Sequence, residues 1–98
     1  MQVKIHHSYR GVVAICDSEL IGKTFEEGNM HIFVNPNFFQ GEDKNEKEVL
    51  KIIEKGAAED YNFNIVGKEA VKTALEAGII NKEGIKYIQG IPVALSLL

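Results

Sequence analysis

Short runs of apolar residues separated by polar turns predict six strands in this chain. The predicted strands span residues 3–9, 12–16, 30–34, 62–66, 85–89 and 91–98. A turn at Arg10-Gly11 favours a hairpin between the first two strands, with Tyr9 and Arg10 at its tip. Pro36 ends the third strand because proline cannot donate to a ladder. The last run is apolar almost throughout, which predicts a buried strand.

Two further stretches carry apolar residues at helical spacing. Asn45 is followed three residues later by Glu48, the arrangement of a capping box, and predicts a helix from about residue 45 to 60. A second helix is predicted to begin at Gly67. Gly78 stands where a left-handed residue would end that helix in a Schellman motif.

The predicted order is therefore β-β-β-α-β-α-β-β, which indicates an α/β (α+β) fold. We expect one small domain over residues 1–98, with a mixed or antiparallel sheet and two helices packed on one face. The chain has 98 residues, of which 45% are hydrophobic and 26% charged, values typical of a globular domain. No apolar run has the length of a signal peptide or a membrane span, so we expect a cytoplasmic protein without membrane contact.

The net charge of −3 argues against nucleic-acid binding through bulk positive charge, although it leaves a local basic patch open. Cys16 is the single cysteine, which excludes a disulfide within the chain and a cysteine-based zinc site. At the end of an apolar strand, Cys16 is expected to be a small core residue. His6 and His7 are adjacent on a strand and so point to opposite faces, which favours ordinary strand histidines over metal ligands.

The stretch from residue 16 to 28 is the main functional candidate because charges and glycines are dense between two strands. Gly22-Lys23-Thr24 copies the end of a phosphate-binding P-loop. The glycine that such a loop needs five positions earlier is replaced by Asp17, whose carboxylate would repel phosphate. This argues against a P-loop, and the weaker hypothesis is that Lys23 binds a single anion at a glycine turn.

Asp17 and Glu19 would face the same way if the segment were extended, and could hold a divalent cation or a substrate amine. The sequence offers no third ligand, so we predict no metal site and no cofactor. The alternative is an Asp turn followed by a Glu19–Lys23 ion pair. At Gly67-Lys68 a strand runs into a helix start, where free amides favour an anion. The simpler alternative, which we favour, is that Gly67 is only a tight turn and Lys68 is solvated.

Two aromatic pairs complete the candidates. Tyr9 and Arg10 combine a ring with a fork of donors, which suits RNA bases and phosphates. Phe38 and Phe39 would form an adhesive element if one ring were exposed. The alternative is that Tyr9 and at least one phenylalanine belong to the core.

With these residues in view, the chain resembles an uncharacterised archaeal family, the domain of unknown function number 424, over essentially its whole length. The shared positions are Asp17, Glu19-Leu20, Gly22-Lys23, Phe25-Glu26-Glu27-Gly28, Phe39-Gln40-Gly41-Glu42, Asn64-Ile65-Val66-Gly67-Lys68-Glu69-Ala70-Val71, Gly78-Ile79-Ile80 and Ile88-Gln89-Gly90-Ile91-Pro92. Members often carry a histidine where this chain has Val93, so a catalytic histidine there is in doubt.

The resemblance implies a small cytoplasmic archaeal αβ protein without an established activity, with genes placed beside translation genes. It also implies that the central stretch and the Gly67-Lys68 corner share one surface. It assigns no active-site residue.

These observations support three hypotheses. The first is a non-enzymatic binding module for RNA or the translation machinery, in which Arg10, Lys23 and Lys68 contact phosphates and Tyr9 stacks on a base. The second is an enzyme or small-ligand protein that uses Asp17, Glu19 and Lys23, with Gly22 and Gly67 allowing close backbone approach. The third is a protein-interaction subunit, a homodimer or a complex, that uses the Phe38-Phe39 pair and a strand edge.

Overall fold

The computed structural model describes residues 1–7 and 10–97. Within them lie three helices: α1 (Pro36–Phe39), α2 (Glu46–Ala58) and α3 (Lys68–Ala77). The strands are β1 (Gln2–His6), β2 (Val12–Cys16), β3 (Thr24–Glu27), β4 (Met30–Phe33), β5 (Glu42–Asp43), β6 (Asn62–Val66), β7 (Lys86–Ile88) and β8 (Ile91–Ser96).

Six strands form one mixed sheet in the order β5-β1-β2-β6-β8-β7. β2 and β6 run parallel, whereas every other neighbouring pair is antiparallel. β3 and β4 pair with each other in a separate two-stranded sheet. The predicted α+β class with a mixed sheet is confirmed.

Helices α2 and α3 cover one face of the large sheet. Alternate residues of the central strands, such as Val13 and Ile15, point to this face and pack against Val49, Ile53 and Ala74 of the helices. The predicted capping box at the start of α2 is present, since Asn45 and Glu48 each accept the other's backbone N–H, at 2.9 and 3.0 Å.

The predicted Schellman ending of α3 is also present. Gly78 has φ +76°, and its N–H donates to the C=O of Leu75 at 3.1 Å. The N–H of Ile79 reaches back to the C=O of Ala74 at 3.4 Å.

The segment from residue 17 to 44 covers part of the opposite face. Ala14 and Cys16 of β2 point to this side and pack with Leu20, Val34 and Phe39. This segment contains β3, α1 and β5, which the sequence pattern did not predict. β3 has one apolar residue in four and so lacks a strand pattern, and its pairing with β4 supplies the order that its own sequence does not indicate.

The prediction of a buried last strand is wrong at its end. Leu95 is 57% exposed and Leu97 is 70% exposed. Leu95 is directly opposite Asn64 in the ladder, and Asn64 is two residues from Val66, whose side chain packs on the hairpin side of the sheet. Because residues two apart in a strand share a face, Leu95 also lies on the face that carries the β3–β4 hairpin. The hairpin does not cover this end of β8, so an apolar side chain remains in contact with water.

Candidate functional site

The ends of the two parallel strands meet at one corner of the molecule. β2 ends at Cys16 and β6 ends at Val66, which are directly opposite each other in the ladder. The next residues are Asp17 and Gly67, and the N–H of Asp17 donates to the C=O of Val66 at 3.1 Å. The corner therefore joins the central stretch to the start of α3, as the family resemblance implied.

The carboxylate of Asp17 occupies the start of α3. Its Oδ1 accepts the N–H of Ala70 at 2.8 Å, and its Oδ2 accepts the N–H of Glu69 at 3.1 Å. Asp17 is only 7% exposed. Because Gly67 has no side chain with which to cap the helix, Asp17 does so from 50 residues earlier in the chain.

Gly67 is required for this contact. Its φ of +113° lies in a region that glycine adopts without strain, and a Cβ there would stand 2.6 Å from both carboxylate oxygens of Asp17. The two amides that the sequence suggested for an external anion are thus bonded to a carboxylate of the chain itself. Lys68 is exposed on the first turn of the helix.

The extended segment that would let Asp17 and Glu19 face the same way is not present. Residues Ser18–Leu20 form a 3-10 turn rather than an extended segment, so the two carboxylates diverge. Asp17 is buried against α3, whereas Glu19 is exposed. Across the described ranges 1–7 and 10–97, no three His, Cys, Asp or Glu side chains are grouped as a metal site.

Gly22 and Lys23 form a turn at the start of the hairpin. Gly22 has φ +82°, and its N–H donates to the C=O of Val34 at 2.8 Å. Lys23 and Val34 continue the ladder, since the N–H of Val34 donates to the C=O of Lys23 at 2.9 Å. The Lys23 side chain is exposed, which leaves its proposed contact with an anion as a prediction.

Arg10 lies at the other end of β2 from this corner. It precedes Val12 where the strand begins, whereas Asp17 follows where the strand ends. Seven steps of extended chain separate Arg10 from Asp17, a distance of about 20 Å. Arg10 is exposed, and Tyr9 lies outside the described residues. The predicted binding residues are therefore divided between two ends of the sheet.

Cys16 is fully buried, as predicted for a small core residue. Burial, with a smaller effect from the charge of Asp17, raises the pKa of the Cys16 thiol to about 12. A thiol with this pKa is protonated at neutral pH and is a poor nucleophile.

The phenylalanine pair is part of the packing around α1. Phe39 is buried, and Phe38 stacks on His6 with ring centroids 4.6 Å apart. Nε2 of His6 also lies 2.9 Å from the C=O of Phe38. His7 is near Tyr61 instead, so the two histidines diverge as predicted.

A groove that the sequence did not reveal lies between the β3–β4 hairpin and the β7–β8 edge of the large sheet. This hairpin groove has a volume of about 520 Å³. Its main lining residues are Met30 and His31 of β4, Lys86 and Ile88 of β7, and Val93 and Leu95 of β8. No sequence pattern indicates this groove, because its lining residues lie in runs that each resemble an ordinary strand.

The hairpin is held over the sheet by Glu26, Glu27 and Gln89. The N–H of Gln89 donates to Oε1 of Glu27 at 2.6 Å, and Oε1 of Gln89 accepts the N–H of Glu26 at 3.3 Å. Gln89 can make this contact because it lies in the two-residue turn between β7 and β8, with φ +52°. Phe25 and Ile32 add apolar contacts beneath the hairpin.

Comparison with known proteins agrees with the fold and assigns no activity. The chain is similar to the crystal structure of an uncharacterized conserved protein from Methanopyrus kandleri, with a TM-score of 0.85 and 21% identity, covering 96% of this chain and 87% of that one. At this identity the likeness supports the fold alone. A search of curated proteins gave no match. No helix among the described residues has the length and apolar character needed to cross a membrane. The family model described as "Protein of unknown function (DUF424)" matches residues 6–97, and the chain therefore belongs to this family.

Proposed function

We propose that this protein is a non-enzymatic binding module that docks a partner protein through the hairpin groove. One observation carries the proposal: Met30 and Leu95 are 37% and 57% exposed on the two sides of the same concave surface. Large exposed apolar side chains that line one groove are typical of interaction sites. At about 25 cal/mol per Å² of apolar surface, covering both would contribute roughly 3 kcal/mol to binding.

The groove is also fixed in shape before a partner arrives. The Gln89 contacts hold the hairpin at the turn between β7 and β8, and Phe25 and Ile32 hold it to the sheet. A site that is already ordered loses less entropy on binding than one that must form. The apolar contact can therefore contribute to affinity rather than to ordering of the hairpin.

Charge indicates what the partner presents. Of the described residues that line the groove, Lys86 and His31 are basic and none is a carboxylate. The His31 side chain is turned to the other face of the hairpin, where its Nε2 lies 3.5 Å from Oε1 of Glu26, so Lys86 is the main cation of the groove. A partner segment with apolar side chains and a nearby carboxylate would match this lining.

The test is an affinity capture from cytoplasmic extract of the native cells, the compartment expected from the sequence. Tagged protein is incubated with RNase-treated and untreated halves of the extract. We expect a protein that is retained after RNase treatment and lost when the bait carries Leu95→Asp. Tyr87→Ser is the matched control, because Tyr87 is exposed on the same sheet edge but faces away from the groove. Retention of the same protein by Leu95→Asp would refute docking in the groove.

RNA binding is a second candidate, and the exposed ring of Tyr87 favours it. Tyr87 is 58% exposed on the face of β7 that points away from the groove, so a base could stack on its ring. Lys23 and Lys68 would bind further phosphates, whereas Arg10, about 20 Å along β2 from the corner, would touch a separate part of the RNA.

The same capture separates this candidate from protein docking. If RNA is the partner, RNase treatment empties the eluate, binding weakens as salt is raised, and Tyr87→Ser rather than Leu95→Asp reduces capture. Components of the translation machinery could be recovered in either case, so the pattern of the two variants decides between the candidates.

A further inference from the structure

We infer that the docked partner segment is an extended strand that pairs with the free edge of β4 and adds a third strand to the β3–β4 sheet. The inference rests on docking in the hairpin groove and specifies the conformation of the segment. Apolar side chains of the segment would enter the groove at alternate positions, with a carboxylate close to Lys86.

The free edge follows from the alternation of the ladder. The N–H of Val34 donates to the C=O of Lys23, so the backbone polar groups of Val34 point towards β3. Alternate residues of an antiparallel strand point the same way. The backbone N–H and C=O groups of Ile32 and Met30 therefore also point towards β3, and those of His31 point away from it.

Within the described part of the chain, no hydrogen bond is made by the N–H or C=O of His31. The next outward carbonyl, that of Phe33, accepts the N–H of Asn35 at 2.9 Å. The opposite edge of the hairpin is different, because the N–H of Glu26 donates to Gln89. Of the two edges, the one at His31 is thus able to pair with an added strand.

The side chains place this edge beside the groove. His31 is directly opposite Glu26 and pairs with it, on the face of the hairpin that points away from the large sheet. The side chain of Met30 points to the opposite face of the hairpin and lines the groove. The part of His31 that borders the groove is therefore its backbone. A strand paired there would lay alternate side chains between Met30 and Leu95.

Charge favours a strand from another protein over a second copy of this chain. The described part of the groove lining includes Lys86 and no carboxylate. If two copies paired through their β4 edges, each would offer residues Met30–Phe33, which contain no carboxylate. A foreign segment can supply the acidic group that the lining lacks.

The probe is a displayed library of linear peptides of about eight residues, the length of an ordinary strand. Peptides are selected on the wild-type protein and counter-selected on Leu95→Asp. We expect the enriched peptides to alternate apolar and polar residues and to contain Asp or Glu.

Two substitutions at one position then test backbone pairing. His31→Pro removes the outward N–H without touching the bonds to β3, and His31→Ala keeps that N–H. Both remove the imidazole and its contact with Glu26. We expect His31→Pro to weaken peptide binding about tenfold, which is the effect of about one hydrogen bond, and His31→Ala to leave it nearly unchanged.

Methylation of the peptide backbone gives a test that does not depend on folding of the proline variant. Methylating the amide opposite His31 should weaken binding about tenfold, whereas methylating the next amide, which points away, should not. Hydrogen exchange of the His31 amide should slow in the complex.

The outcomes distinguish the inference from the proposed function. Enriched peptides that leave the His31 amide exchanging at its free rate would overturn strand pairing and retain docking in the groove. Failure to enrich any peptide over Leu95→Asp would overturn both. A dimer in light scattering that His31→Pro dissociates would show that the strand comes from a second copy.

Discussion

Replacing Asp17 with alanine is expected to destabilise the fold strongly, although the residue contributes nothing to the apolar core. The substitution removes two hydrogen bonds from a buried carboxylate to the amides of Glu69 and Ala70. A hydrogen bond to a charged group contributes about 1.5 to 3 kcal/mol, and loss of a helix cap costs about 1 to 2 kcal/mol. Since these two descriptions count the same contact, we expect a loss of about 3 kcal/mol.

This loss is a large part of the stability of a domain of this size, which is about 5 to 15 kcal/mol. It corresponds to a melting temperature lower by roughly 15 °C. Urea unfolding followed by circular dichroism measures the free energy directly. Asp17→Asn keeps one acceptor oxygen, so its loss should be about half as large.

Glu19→Ala is the matched control, because Glu19 is an exposed carboxylate two residues away in the same turn. It should change the free energy of unfolding by less than about 0.5 kcal/mol. If Asp17→Ala were as mild as Glu19→Ala, the conclusion that Asp17 caps α3 would be refuted.

Three further predictions concern single sites. Gly67→Ala should cost at least about 2 kcal/mol in urea unfolding, because its Cβ would collide with the carboxylate of Asp17 and its φ is positive; a smaller loss would contradict the close contact. Cys16 should resist iodoacetamide at pH 8 in the folded protein and react in denaturant, since burial raises its pKa to about 12; rapid native labelling followed by mass spectrometry would contradict this. The pKa of Glu46 is raised above its ordinary value of 4.5, first by a hydrogen bond to Glu76 and then by the charge of Glu76. Protonation of Glu46 therefore stabilises the fold fully below pH 4.5, and the contribution disappears as the pH rises through the raised pKa. Glu46→Gln should melt higher than wild type at pH 7 and lose that advantage by pH 4, and an advantage that is constant with pH would contradict the pairing.

The candidate residues show where sequence reasoning stopped. The sequence pattern indicates both Asp17 and Gly67 as candidates, and the structure brings them into direct contact, but as partners of each other rather than as ligands for an external anion. The glycine indicated a helix start with unpaired amides. The acceptor for these amides is the carboxylate of Asp17, 50 residues before Gly67. It reaches them because β2 pairs with β6 in parallel, and no local pattern encodes that pairing.

The hairpin groove shows the same limit from the opposite direction. Leu95 belongs to a run that is apolar almost throughout, which is the pattern of a strand buried on both faces. Whether each apolar side chain is covered depends on how far the β3–β4 hairpin extends across the sheet. That extent is decided by contacts such as Glu27 with Gln89, 62 residues apart.

The sequence alone determined the features that depend on neighbours along the chain. The capping box at Asn45, the left-handed ending at Gly78 and the apolar run that buries Cys16 are each specified within a few residues, so they could be read before the fold was known. Tertiary structure decided the partner of Asp17 and the exposure of Leu95. Both depend on strand order and register, which bring distant segments together and which local periodicity cannot report.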